Sequence, residues 1–196
     1  MANINGAFGL RPMSKLGQGS NSTGTTGYTP YEIANGNSTA IYQGSPVIPL
    51  STGYISLVGA AAGGTVSLVG AFMGCKYVSS TTGKTIWSNY WPGSGADSNH
   101  PVEAFVADDP AQLFVVATDA SWTSKATARA AVFANANFSS GTSGSTTTGM
   151  SSAALAISTI ATCEGVTRTV FRPLLLRDAE ASADATLLPP PFDLAL

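Results

Sequence analysis

The stretch Gly70–Trp91, with the sequence GAFMGCKYVSSTTGKTIWSNYW, carries the clearest fold signal in the chain. Its first part, Gly70–Val78, is typical of a buried strand, and Gly74 marks a bulge or a close backbone approach. Thr81–Lys84 predicts a turn, because Thr and Gly cluster there. Thr85–Trp91 then predicts the strand that returns beside the first. The stretch therefore predicts an antiparallel pair of strands.

A second pattern of the same kind follows immediately along the chain. Val102–Ala107 alternates, with Val102, Ala104 and Val106 on one face and Glu103 and Phe105 on the other. The run Asp108-Asp109-Pro110 predicts a turn, and Gln112–Ala117 predicts the next strand, so the two strands should form a hairpin. Short strands recur about every ten residues, a spacing typical of sandwiches and barrels. We therefore predict an all-β fold, a β-sandwich or β-barrel of jelly-roll-like character.

Several further local signals complete this prediction. Asn35-Gly36-Asn37 is a strong hairpin signal, and Pro46 and Pro49 argue against a central position for the strand that contains them. The remaining predicted elements are strands at Tyr54–Val58 and Thr65–Val69, a strand region that opens with Leu155, Ile157 and Ile160, a strand at Thr167–Leu176, and a short helix near 125–132 with Thr123 or Ser124 as its N-cap.

The composition narrows the classes of function. The chain has 196 residues, 10% of them charged, and a formal net charge of −2. Nucleic-acid binding needs clustered Lys and Arg, so this balance argues against it. Ser and Thr supply 45 residues, and they suit strand surfaces better than helical ones. A surface with so few charges tends to associate with partners or with copies of itself.

The chain divides into three predicted regions. Residues 1–30 are rich in Gly and carry a few large apolar residues, which predicts an extended N-terminal arm that needs a surface to bind. Residues 31–178 form the β-rich domain, in which the Ser/Thr/Gly stretch 139–152 predicts a flexible loop. Residues 179–196 form a Pro-rich C-terminal tail. We expect no secretory signal at the start and no membrane-spanning segment.

Residues capable of catalysis are scarce. His100 is the single histidine, and it lies in a polar loop where a solvated role is expected rather than a place in a catalytic triad. Asp108 and Asp109 could serve as paired carboxylates, but adjacent Asp residues before Pro110 are typical of a turn. Calcium binding by Asp97, Asp108 and Asp109 lacks the usual alternating spacing. We therefore predict no enzyme activity, no cofactor and no metal.

Two other groups of residues admit more than one interpretation. Cys75 and Cys163 lie far apart without metal-ligand spacing, so buried free thiols are expected, although a disulfide stays open. Trp87, Tyr90 and Trp91 form an aromatic cluster. Such residues stack on sugars in some β proteins, and they more often belong to a core or an interface between subunits.

Five ordered segments resemble a family of small structural proteins of tailed bacteriophages, the capsid decoration or cement proteins. The segments cover most of residues 7–178. They are Phe8-Gly9-Leu10-Arg11-Pro12, Tyr31 followed by Ala40–Val47, Phe72–Tyr77, Tyr90–Gly93 and Ala104–Pro110.

This resemblance implies a structural protein of the virion that binds the outer surface of the icosahedral capsid. Its expected partners are the major capsid protein and itself, as a homotrimer that bridges capsid subunits. The expected role involves neither direct contact with nucleic acid nor a membrane. The residues expected to contact the capsid or a sister subunit are Phe8, Leu10, Arg11 and Pro12 in the N-terminal arm and Pro190, Pro191, Phe192 and Leu194 in the C-terminal tail.

Two alternatives stay open at this point. The first is a head-surface adhesin that binds host glycans through Trp87, Tyr90 or Trp91. The second is a structural protein of the tail or of the head–tail joint, which would assemble as a ring rather than as a trimer. Either of the two contact segments could also pack on its own domain.

Overall fold

The computed structural model describes residues 6–15, 27–58, 68–131, 136–138 and 143–159. Within these ranges the chain is built mainly of antiparallel strands, so the all-β prediction is confirmed. The strands are β1 (Arg11–Lys15), β2 (Thr29–Ile33), β3 (Pro46–Pro49), β4 (Ile55–Leu57), β5 (Gly70–Val78), β6 (Thr85–Ser88), β7 (Val102–Ala107) and β8 (Gln112–Val115). A short α-helix, α1 (Lys125–Ala130), and a 3-10 turn, Ile157–Thr159, complete the described elements. The strand region predicted to open at Leu155 is therefore wrong over Ile157–Thr159, and Ile160 lies outside the described residues.

The strands form one six-stranded sheet and one two-stranded sheet. In the large sheet the order is β2-β7-β5-β3-β4, and β6 also pairs with β5. The nine residues of β5 make this possible, because β3 pairs with its first two residues and β6 with its last four. The small sheet consists of β1 and β8. The predicted pair formed by β5 and β6 is confirmed.

The main hydrophobic core lies on one face of the large sheet. Phe72, Val106 and Trp91 are completely buried there. The other members of the cluster are Ile33, Ile41, Val47, Ile55, Leu57, Cys75, Val102 and Ala104. Because apolar side chains leave water when this face is covered, the core supplies the main driving force for folding.

The bulge predicted at Gly74 is present. The register between β5 and β7 shifts between Phe72 and Gly74. Residues directly opposite each other in a sheet share a face, so the pairs Gly74–Phe105 and Lys76–Glu103 both lie on the face away from the main core. The predicted alternation of β7 is likewise confirmed, because its even-numbered residues are buried and Glu103 and Phe105 are only half-buried.

Two predicted hairpins are wrong. The strands β7 and β8 follow each other after a tight turn, but β2 and β5 occupy both edges of β7, and β8 pairs with β1 instead. Asn35 and Gly36 do form a turn, in which the N–H of Asn37 donates to the carbonyl of Ala34 at 2.8 Å. The strand before this turn nevertheless pairs with β7. The local signals predict both turns correctly, whereas the partner of each strand depends on residues far away in the sequence.

The prediction that the proline-flanked strand cannot be central is also wrong. Strand β3 lies between β4 and β5. Its prolines, Pro46 and Pro49, occupy the first and last positions of a four-residue strand. A missing N–H is tolerated at such positions because the ladder begins or ends there. Pro46 still uses its carbonyl, which accepts a hydrogen bond from the N–H of Val58 at 3.1 Å.

Two regions predicted to be extended or flexible have defined structure in their described parts. Residues 11–15 of the predicted N-terminal arm form β1 within the domain. In the predicted loop 139–152, residues 143–152 form a turn whose backbone pairs with Gln43. The N–H of Gln43 donates to the carbonyl of Gly149, and the N–H of Ser151 donates to the carbonyl of Gln43, both at 2.9 Å. These backbone bonds fix a segment whose composition alone suggests mobility.

The helix prediction is confirmed. The side chain of Ser124 accepts a hydrogen bond from the N–H of Thr127, and Thr127 reciprocates, so α1 begins with a capping box. Within the described ranges no helix has the length and apolar character needed to cross a membrane. The predicted strands Thr65–Val69, in its first three residues, and Thr167–Leu176 lie outside the described residues, as does the tail 179–196.

Candidate functional site

The N-terminal segment packs against the body of the domain. The N–H of Leu10 donates to the carbonyl of Gly44 at 2.8 Å, and its side chain is 1% exposed beside Ala71 and Ala153. Gly9, with a φ of +71°, allows this approach, because a Cβ there would lie 2.6 Å from the Gly44 oxygen. Leu10, one of the predicted contact residues, is therefore a core residue and cannot touch a partner while the domain is folded.

The other predicted residues of this segment lie nearer to the surface. The Arg11 guanidinium is exposed and lies 4.6 Å from the centre of the half-buried Phe8 ring. Pro12 is half-buried within β1. Met13, at the bulge of this strand, is 58% exposed, and Val115, the direct partner of Arg11 on β8, is 40% exposed. We call Phe8, Arg11, Met13 and Val115 the β1–β8 patch.

The composition marks the N-terminal segment as a candidate contact, but it does not predict that Met13 of β1 and Val115 of β8 expose their apolar side chains. Val115 becomes part of the patch only because β8 pairs with β1, a partner that the sequence did not predict. Pro190, Pro191, Phe192 and Leu194, the predicted contacts of the tail, lie outside the described residues.

An ion pair holds the end of β1 against the turn before β8. The Lys15 ammonium contacts the carboxylate of Asp109. The hydrogen bond from Lys15, helped by one from the N–H of Ala111, lowers the pKa of Asp109 below its usual value of 3.8. This carboxylate is thus occupied in joining the two strands of the small sheet.

The neighbouring carboxylate has a separate structural role. Asp108 accepts hydrogen bonds from the hydroxyls of Thr29 and Tyr31, both at 2.8 Å. The bond to Asp108, together with partial burial and the negative charge, raises the pKa of Tyr31 above 10.0. Asp108 therefore joins β2 to the end of β7. Asp108 and Asp109 thus bind different partners, and each carboxylate has its own structural role.

His100 lies in an exposed loop, as the sequence predicts. Its Nδ1 is 2.9 Å from a carboxylate oxygen of Asp97. A hydrogen bond from the N–H of Asn99, followed by the contact with His100, lowers the pKa of Asp97. The ring lines an open cleft of about 240 Å³ together with Glu32, Asn35, Tyr54, Ser98, Asn99 and Pro101. In the described part of the chain His100 forms no hydrogen bond with a hydroxyl or thiol nucleophile.

The predicted aromatic cluster separates into three environments. Trp91 is completely buried, its Nε1 donates to the carbonyl of Asn37 at 3.1 Å, and its ring meets that of Tyr77 edge-on. The half-buried Tyr90 stacks on Tyr42 with ring centres 5.8 Å apart. Trp87, by contrast, is 69% exposed. Only Trp87 of the three offers a large free aromatic surface, since Trp91 belongs to the core.

The indole of Trp87 is held in place on the outer face of the large sheet. It lies parallel to the ring of Phe105, with 5.5 Å between ring centres and an angle of 7° between the planes. Lys76 Nζ lies 5.5 Å from the Trp87 ring and 2.7 Å from a carboxylate oxygen of Glu103. Strand β5 runs between the two aromatic residues, and the missing side chain of Gly74 leaves the space in which they meet. We call Trp87, Phe105, Lys76 and Glu103 the aromatic platform.

The described cysteine belongs to the main hydrophobic core. Cys75 is a free, buried thiol, and its Sγ lies 3.4 Å from the carbonyl oxygen of Tyr90. Burial raises the pKa of Cys75 to about 12, so it is protonated at neutral pH and a poor nucleophile. Cys163 lies outside the described residues. No group of three or more His, Cys, Asp or Glu side chains with metal-binding geometry occurs in the ranges given above.

Comparison with known families, with curated proteins and with solved structures finds no match to this chain. Two surfaces of the described structure are candidates for binding a partner, the β1–β8 patch and the aromatic platform.

Proposed function

We propose that this chain is a structural protein of a bacteriophage virion that decorates and cements the capsid. It binds the outer surface of the icosahedral shell, contacts the major capsid protein, and bridges neighbouring capsid subunits as a homotrimer. The proposal starts from the resemblance of five ordered sequence segments to capsid decoration proteins. It requires no catalysis, because binding to the assembled shell alone stabilises that shell.

The observation that carries the proposal is the β1–β8 patch. Met13 and Val115 expose apolar side chains on the small sheet, and Val115 lies directly opposite Arg11, whose guanidinium lies over the Phe8 ring. Methionine, arginine and aromatic residues are enriched at protein interfaces, and the patch contains one of each in Met13, Arg11 and Phe8. The patch also includes Phe8 and Arg11, which, together with Pro12, the resemblance implies are contact residues.

The positions of the resembling segments add a second line of support. Gly9 and Leu10 contact Gly44 of the next segment, and Gly44 donates its N–H to the carbonyl of Phe72 at 2.7 Å. The segment Phe72–Tyr77 in turn lies in β5, which pairs with β7. These segments thus pack against one another in one continuous part of the domain.

The test is co-sedimentation of the full-length protein with expanded capsid shells of the tailed phage whose genome encodes it, prepared without the decorating protein. We expect saturable binding at a fixed number of sites. Met13→Gln together with Val115→Thr should weaken binding at least tenfold. Ile86→Thr, which changes a 36% exposed residue on β6, is the matched control and should bind like the unchanged protein.

The tail residues are tested in the same assay. Phe192→Ala together with Leu194→Ala, introduced into the full-length chain, should also reduce binding if the tail contacts the shell. Absence of saturable binding by the unchanged protein to intact shells would contradict the proposal. Ring-shaped assemblies that bind isolated tails or portal vertices instead would favour the tail or head–tail alternative.

A further inference from the structure

The aromatic platform lies on the large sheet, on strands other than those that form the β1–β8 patch. Trp87 is the most exposed of the large apolar side chains in the described structure. Its ring is nevertheless fixed, because Phe105 stacks against it and Lys76 lies nearby. A rigid indole that keeps its face in water loses little conformational freedom when a ligand covers it.

Polar side chains continue from Trp87 across the sheet in register. Trp87 is opposite Lys76, Lys76 is opposite Glu103, and Glu103 is opposite Glu32. Four adjacent strands at about 4.8 Å spacing give this row a length of roughly 14 Å. The row therefore begins with a flat apolar surface and continues with an ammonium and two carboxylates, which can bond to hydroxyl groups.

We propose that this face binds a neutral oligosaccharide. One sugar ring stacks its C–H face on the exposed indole of Trp87, and the following units lie along the row. There Lys76 donates hydrogen bonds to sugar hydroxyls, and Glu103 and Glu32 accept hydrogen bonds from them. The row is longer than a single sugar ring, so a short chain of sugars is the ligand rather than a monosaccharide.

The charges of the row select among possible ligands. One ammonium and two carboxylates give a net charge of −1, and Lys76 is already paired with Glu103. This arrangement repels phosphorylated, sulfated or carboxylated glycans and nucleic acids, whose binding needs unpaired cationic groups. It also disfavours a protein partner, because charged residues are depleted from the buried centres of protein interfaces.

The first experiment is a screen of the full-length protein against a panel of neutral oligosaccharides, built from hexoses and N-acetylhexosamines, followed by calorimetric titration of those that bind. We expect binding to oligosaccharides and much weaker binding to the corresponding monosaccharides. Trp87→Ala should reduce the affinity at least tenfold, and Trp87→Phe should retain part of it. Glu103→Gln, which keeps the shape but removes the charge, should reduce it severalfold.

Two controls separate this proposal from the decoration role and from misfolding. Met13→Gln with Val115→Thr should leave oligosaccharide binding unchanged, and Trp87→Ala should leave sedimentation with capsid shells unchanged. Urea unfolding of Trp87→Ala should show a cooperative transition like that of the unchanged protein. These controls allow either proposal to fail without the other.

Several outcomes would overturn the inference. One is that no neutral oligosaccharide in the panel binds at millimolar concentration. Another is that Trp87→Ala binds as tightly as the unchanged protein, or that only acidic glycans bind. If the unchanged protein binds no glycan and Trp87→Ala abolishes self-association in sedimentation velocity, the platform binds a second copy of the chain. If instead Trp87→Ala abolishes binding to shells, the platform contacts the capsid.

Discussion

Trp87 and Trp91 lie four residues apart in the same stretch, yet they have opposite environments. Strand β6 ends at Ser88, whose hydroxyl donates to the carbonyl of Tyr90 at 2.6 Å and turns the chain. Trp91 then points into the core while Trp87 stays on the outer face. A single turn therefore decides which of two identical side chains contributes to stability and which is available for binding.

Gly74 is the residue on which the aromatic platform depends most directly. Its φ is +149°, and a Cβ there would lie 2.9 Å from the carbonyl oxygen of Ser88. We expect Gly74→Ala to destabilise the protein by about 1–3 kcal/mol, because of backbone strain. Urea unfolding measures this. Gly36→Ala is the control, since a Cβ at Gly36 meets open space, and equal losses in the two variants would contradict the prediction.

The Lys15–Asp109 ion pair predicts a dependence of stability on pH. The pKa of Asp109 is lowered in the folded state, so its contribution is present above the unfolded value near 3.8 and is lost as the pH falls through the lowered value. Asp109→Asn should therefore flatten the fall of the unfolding free energy between about pH 5 and 2. Urea titrations at several pH values measure it. Parallel curves for the two proteins would argue against the ion pair.

At the scale of elements, β1 joins the predicted arm to the domain. Leu10, just before it, is buried, whereas Met13 within it is exposed. We expect Leu10→Ala to lower the unfolding free energy by about 2–5 kcal/mol, because a core cavity results. Met13→Ala should change it by less than about 0.5 kcal/mol. The pair is compared by urea unfolding. A small effect at Leu10 would mean that this segment is not part of the folded domain in solution.

Strands were predictable from the sequence where local rules decide. The alternation of β7, the bulge of β5 and the turn before β6 follow from neighbouring residues. The partners of the strands were not predictable in the same way, because the pairing between β1 and β8 joins segments about a hundred residues apart. The prediction that Pro46 and Pro49 exclude a central strand fails for a related reason. Whether a proline interrupts a sheet depends on how far the neighbouring strand extends.

Some residues of the candidate surfaces were predictable from the sequence, but the neighbours that complete those surfaces were not. The sequence identifies Phe8, Leu10 and Arg11 as notable apolar and charged residues in a glycine-rich segment. It cannot tell whether the surface that covers them belongs to the same chain or to a partner. Likewise, Trp87 is conspicuous in the sequence, but Phe105 and Lys76 become its neighbours only through the register of three strands.

At the scale of the whole molecule, the proposed decoration stabilises the shell by mass action. A protein that binds the expanded shell and not its dissociated subunits raises shell stability as its own concentration rises. At a free concentration 100-fold above the dissociation constant, each site contributes about 2.7 kcal/mol. The temperature of shell disruption, followed by light scattering or DNA release, should therefore increase with added protein. A disruption temperature independent of protein concentration, despite occupied sites, would contradict the cement role.

The hydrogen bonds made by residues 43 and 44 have a consequence for folding during synthesis. Gly44 and Gln43 connect three distant parts of the chain, at Leu10, Phe72 and Gly149. Leu10 also rests against Ala153, so its site is complete only after that residue has left the ribosome. At synthesis rates of about 5–20 residues per second, the N-terminal segment waits roughly 7–30 s for its partner. During that interval its apolar side chains are solvent-exposed and accessible to other nascent chains. We therefore expect misassembly of this protein chiefly during translation.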